Sequence, residues 1–117
     1  MFNVLATYIY EIKKGTKPCA LVTLDKKGLE FAIKKIEKAN LLYFVQYPKG
    51  HAQIQKINLF FGEREIIQVL ESIITSDLNK LCREHDFMLG ILLGYDTKKQ
   101  CERFLEFTSK KPISAWI

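Results

Sequence analysis

Two short segments place reactive side chains at helical spacing: Cys82-Arg83-Glu84-His85 and Cys101-Glu102-Arg103. In the first, a thiol and an imidazole three residues apart share one helix face, which suits either two metal ligands or a nucleophile with its base. Two ligands do not close a metal site. A cysteine nucleophile further needs a group that orients its base and an electropositive pocket that lowers the thiol pKa. The sequence supplies neither, and Cys19 and Cys101 have no Cys-x-x-Cys motif to bring them together. The residues read instead as a small buried thiol and a surface histidine at 82 and 85, with Cys101 on an apolar helix face beside Phe104 and Leu105. No catalytic residue, metal ligand set or cofactor is assigned.

Charge is the second source of chemistry. Residues 1–50 carry nine lysines against Glu11, Asp25, Glu30 and Glu37, a balance of 9 − 4 = +5, whereas residues 51–117 carry nine basic and nine acidic groups and balance to zero. The whole excess therefore lies in the first half, where it steers encounter with an acidic partner and is weakened by salt. Lys26, Lys34, Lys35 and Lys38 are the steering charges expected for such a partner. Tyr8, Tyr10, Tyr43, Phe44 and Tyr47 interleave with these cations on or near expected strands, so a single-stranded nucleic-acid platform is the alternative. Arginine is absent from that half, and no recognised nucleic-acid motif is present. A small-molecule enzyme depending on Cys82, His85 or Cys101 is a third reading.

The elements that must position these groups follow from periodicity. Residues 2–10 are rich in β-formers and read as a strand, paired across a polar turn at Gly15 with a strand over 20–24. Asp25 caps an amphipathic helix over 26–39, whose Leu29, Ile33 and Ile36 recur at helical spacing, and Asn40 closes it. Strands follow over 42–47 and 54–61, separated by turn chemistry at Pro48-Lys49-Gly50. Leu59-Phe60-Phe61 is apolar on both faces. Gly62 gives a sharp exit into a helix over 63–74; as an anion cradle it lacks a fingerprint spacing, and Glu63 and Glu65 would repel phosphate.

Everything after that reads as helical: 77–85 capped by Ser76, a short apolar helix beginning at Asp86, and 98–107 capped by Asp96. A mid-helix glycine costs about 1 kcal/mol against alanine, so Gly90 marks the close approach of another backbone or a subunit. Gly94 takes the left-handed conformation that ends a helix, and Tyr95 is an exposed contact if that turn lies at the surface. After Lys110-Lys111-Pro112, Trp116 either folds over the core or anchors a neighbouring subunit. Gly90, Tyr95 and Trp116 are the residues expected at a dimer or close-packing contact.

With 48% hydrophobic and 12% aromatic residues over 117 positions, the chain is expected to form one domain, 1–117. Its longest apolar runs fall far short of the roughly 20 residues that span a bilayer. A cytoplasmic protein is expected, in keeping with three cysteines, an odd count without the spacing of a disulfide framework.

The order Tyr8-Ile9-Tyr10-Glu11, Lys14-Gly15, Ile57-Asn58-Leu59-Phe60-Phe61-Gly62, Asp86-Phe87-Met88-Leu89-Gly90 and Leu93-Gly94-Tyr95-Asp96, with Gln100-Cys101-Glu102-Arg103, resembles a family of short bacterial proteins known as a domain of unknown function. That resemblance covers nearly the entire chain. It implies a small mixed sheet with several helices, a homodimer, and an association with flavodoxin genes, but no activity or cofactor. It also implies one strand fewer than the four read above. The expectation is an α+β domain in two layers, with a three- or four-stranded sheet in a ββαββ start packed by about five helices, and a helical C-terminal half. Its expected role is that of a non-catalytic homodimeric binding or regulatory protein for an acidic partner, with flavodoxin as the candidate.

Overall fold

In a computed structural model, residues 2–48, 56–74 and 78–109 are described, with side chains from Val4 to Phe107 except Asn79. The elements run α1 (Phe2–Lys14), β1 (Cys19–Leu24), α2 (Lys26–Lys38), β2 (Leu42–Gln46), β3 (Ile57–Gly62), α3 (Arg64–Ile73), a 3-10 turn (Leu78–Lys80), α4 (Arg83–Leu92) and α5 (Thr97–Ser109). The α+β class and the three-stranded alternative hold.

The first expected strand is a helix. Phe2–Lys14 contains many β-formers, yet Leu5 and Ile12 are buried and Tyr8 and Ile9 pack against the same core. Their spacing is that of one helical stripe, and burial of that stripe overrides local propensity. The chain therefore begins α1-β1-α2-β2-β3, and the expected ββαββ start is corrected.

β3 lies between β1 and β2 and is antiparallel to both, with Leu24 opposite Ile57, Cys19 opposite Gly62 and Gln46 opposite Asn58. The β1-α2-β2 unit thus straddles a strand that arrives later in sequence, a split βαβ arrangement. A central strand covered on both faces must be apolar on both faces, and this accounts for Leu59-Phe60-Phe61. All three side chains are fully buried. Each such side chain contributes about 2–3 kcal/mol relative to exposure.

Alternation divides the sheet into two surfaces. Ala20, Val22, Leu24, Ile57, Leu59 and Phe61 share a core with Leu5 and Ile12 of α1 and Leu29, Ala32 and Ile36 of α2. Cys19 and Phe60 share the other with Ile67 and Leu70 of α3 and Leu93 after α4, and there Phe44 stacks on Phe60 with ring centroids 4.8 Å apart. Helices therefore cover both faces, giving three layers rather than two.

The caps are local. Asp25 Oδ1 accepts from the Gly28 amide at 2.7 Å, as expected, and Asn40 ends α2 in the left-handed region at φ 59°. Asp86 does not open its helix. It sits in the first turn of α4, whose N-cap is Cys82, while Ser76 and Asp77 lie outside the described residues. Asp96 caps α5 through the Lys99 amide at 2.9 Å. Residues 49–55, including the end of the expected turn and the start of the expected fourth strand, and Trp116 also lie outside them. Among the described residues no helix is long and apolar enough to cross a membrane.

Candidate partner-binding groove

Between α1 and α2 runs an open groove of ≈ 550 Å³, floored and walled by Leu5, Ala6, Ile9 and Tyr10 on one helix and Phe31, Lys35, Lys38 and Ala39 on the other. Its origin is the two amphipathic stripes. Each helix buries one side on the sheet, and the flanks that face each other above the core carry Ala6 and Ala39, too small to close the gap. Tyr10 is 62% exposed and Phe31 40% exposed at its rim. Large apolar side chains left exposed together are what an interaction surface requires.

The rim is cationic. Lys35 Nζ lies 5.5 Å from the Phe31 ring centroid and Lys14 Nζ lies 5.4 Å from that of Tyr10, each cation held over a ring by its negative face. The last turn of α2 contributes Lys35 and Lys38 to the lining. No carboxylate lines the groove among the described residues.

The four expected steering charges separate. Lys35 and Lys38 line the groove. Lys34 is exposed and falls on a stripe with Lys27, Phe31 and Lys38, spaced to lie along one side of α2. Lys26 is exposed as well, but shares its stripe with Glu30 and Glu37, which offset its charge. Sequence reasoning missed Leu5, Ala6 and Ile9 as binding residues and placed Tyr10 on a sheet because 2–10 read as a strand, and it missed Phe31 on the correctly read α2; the recurrence of Leu5, Ile9 and Ile12 at helical spacing was the signal that could have found the α1 wall.

The sheet platform expected for single-stranded nucleic acid is not formed. Tyr8 and Tyr10 are on α1, Tyr43 packs into the core with α1 and α2, and Phe44 is stacked inside the opposite face. Tyr47 is 64% exposed, beyond the end of β2.

The thiol segments serve structure. Cys82 is exposed, and its sulfur accepts from the His85 amide at 3.4 Å as the cap of α4. That corrects its expected burial. His85 is half-buried rather than at the surface. The Glu84 carboxyl lies below the usual carboxylate range, held first by its own backbone amide and then by Arg83 and the Cys82 thiol. Among the described residues no group of three or more His, Cys, Asp or Glu is placed to hold a metal ion. Cys101 is exposed on α5, not on an apolar face: the main neighbour of α5 is α4, so only its side bearing Gln100, Phe104 and Phe107 is partly covered.

Gly90 does mark a close approach. A Cβ there would collide with the side chain of Gln100 on α5, so within the chain the close neighbour is a side chain and not another backbone. Tyr95, 53% exposed between α4 and α5, is at the surface as a contact residue requires. A family model described as protein of unknown function (DUF2023) matches residues 3–107. Comparison with curated proteins gives no match.

Proposed function

The chain belongs to the DUF2023 family, and from that premise we propose that it is a non-catalytic binding protein whose α1–α2 groove takes an acidic protein partner. The observation that carries this reading is the pairing of exposed Tyr10 and Phe31 with Lys35 and Lys38 around one apolar trough. Aromatic anchors supply contact area, while the ammonium groups steer encounter and select a partner of opposite charge. Flavodoxins are acidic as a class, and a flavodoxin is the first partner to test. The same reading makes the protein a homodimer, with Tyr95 available for a contact between copies.

Calorimetric titration of the full chain with a purified flavodoxin, repeated across salt concentrations, tests the proposal. Affinity that falls with salt and drops about tenfold or more, about 1.4 kcal/mol, in the Lys35→Glu/Lys38→Glu variant supports it. Affinity unchanged by that substitution overturns the electrostatic reading. Tighter binding of a single-stranded oligonucleotide than of the flavodoxin, lost in Tyr47→Ala, would replace it with the nucleic-acid alternative.

A further inference from the structure

We infer that the element received by the α1–α2 groove is an amphipathic helix of two to three turns, apolar along its inner stripe and acidic along one flank only. This rests on the partner-binding reading above and adds the shape of what binds.

The backbone argues for a helix. Both walls are α-helices whose amides and carbonyls bond within their own chain, so an extended segment laid between them would find no ladder to complete its hydrogen bonds. A helix carries its own hydrogen bonds into the trough and presents only side chains, the helix-in-groove mode of recognition. The small residues Ala6 and Ala39 leave space where a third helix would seat its apolar stripe.

Length and charge narrow the occupant. The α2 wall spans Phe31 to Ala39, about 12 Å at the rise of an α-helix. That is two to three turns, which places apolar anchors at positions i, i+3 or i+4, and i+7. The two walls differ: the α2 side lines the trough with the Lys35 and Lys38 ammonium groups, while the α1 side lines it with the Tyr10 ring, and the Lys14 ammonium over that ring is not part of the lining. Carboxylates are therefore wanted on the flank facing α2, and uncharged polar groups on the other. An occupant acidic on both flanks meets ammonium groups of the lining on only one.

The probe is a pair of synthetic peptides of identical composition, titrated into the full chain and followed by NMR shifts of groove residues. One has its apolar residues at helical spacing with glutamates along one flank; the other is a shuffle that breaks the period while keeping every charge. The periodic peptide is expected to bind about tenfold more tightly or better. Equal affinities overturn the helix inference and leave the acidic-partner reading standing, and so does binding by neither peptide while the flavodoxin still binds through Lys35 and Lys38. A second variant, Ala6→Phe, fills the trough from an exposed helix position without altering charge. It should abolish binding of the periodic peptide and leave α-helical circular dichroism intact. Full retention of binding in Ala6→Phe would also refute the inference.

Discussion

The Cys19 thiol donates to the Leu92 carbonyl oxygen at 3.2 Å, tying the first residue of β1 to the C-terminal end of α4. Beside it the Lys17 ammonium donates to the Leu93 carbonyl at 3.2 Å while lying 4.8 Å from the Tyr8 ring centroid. Helix ends leave carbonyls without intrahelical donors, and here a neighbouring segment supplies them, with the cation also favoured by the helix dipole. Burial pushes the Cys19 thiol up from 9.0 to about 11, with Lys17 pulling partly the other way.

A thiol whose folded pKa is raised is favoured in its neutral form, so its contribution is complete below 9.0 and is lost as pH climbs through about 11. Linkage puts the loss at no more than about 3 kcal/mol. Urea unfolding at successive pH values should show this loss in the native chain, and the slope should shrink in Cys19→Ala. Thiol reagents at neutral pH should label Cys82 and Cys101 in the folded protein and reach Cys19 only on unfolding, as mass spectrometry of the labelled chain would read.

Gly62 and Gly90 both stand where a side chain would collide, but against different obstacles. At Gly62 a Cβ would lie 2.8 Å from the Pro18 carbonyl oxygen and 2.8 Å from Cys19 Cβ, across the β1–β3 register. Backbone cannot yield there, so Gly62→Ala should destabilise by about 1–3 kcal/mol. At Gly90 the obstacle is the end of the flexible Gln100 side chain. Its displacement is offset by roughly 1 kcal/mol of helix propensity, and Gly90→Ala should unfold within about 1 kcal/mol of the parent. Equal losses in the two variants would contradict this contrast.

Arg103 forks onto Asp86 with contacts of 2.7 and 3.0 Å, Phe104 meets Phe87 edge-on with centroids 5.5 Å apart, and the Arg83 guanidinium lies 5.8 Å from the Phe104 ring centroid, so an ion pair and two contacts of the Phe104 ring hold α5 to α4. The Arg103 guanidinium holds its proton more firmly than usual because it bonds to Asp86. Arg103 is 55% exposed, and an exposed pair contributes no more than about 1 kcal/mol. Arg103→Ala should therefore leave the melting temperature nearly unchanged while speeding amide exchange in α5, and Phe104→Ala should speed it further.

Among the lysines, position on α2 rather than charge alone decides the effect on partner binding. Lys26→Glu should change affinity little, because Glu30 and Glu37 already share its stripe; Lys35→Glu and Lys38→Glu should each weaken it severalfold and flatten its salt dependence. Equal effects at Lys26 and Lys38 would mean that long-range charge, not the groove, governs association.

Features that rest on neighbouring residues were legible from the chain alone. Asp25 and α2, Asn40 after it, the strand character of β1, β2 and β3, the doubly apolar Leu59-Phe60-Phe61, and the caps at Gly94 and Asp96 all depend on local dihedral preference or on period. The lysine excess of the first half was equally legible, since charge is composition. Where several segments bury their surfaces was settled by packing between distant parts of the fold. Residues 2–10 have strand propensity and a helical stripe at once, and the core shared with β1 and α2 selects the helix. That choice removes the expected first strand and creates one wall of the groove. The same burial decides that Lys35 and Lys38 line one groove with Tyr10 while Lys26 does not, and that Gly90 faces Gln100 from a helix ten residues further on. Those juxtapositions join residues remote in the chain, and no local periodicity encodes them.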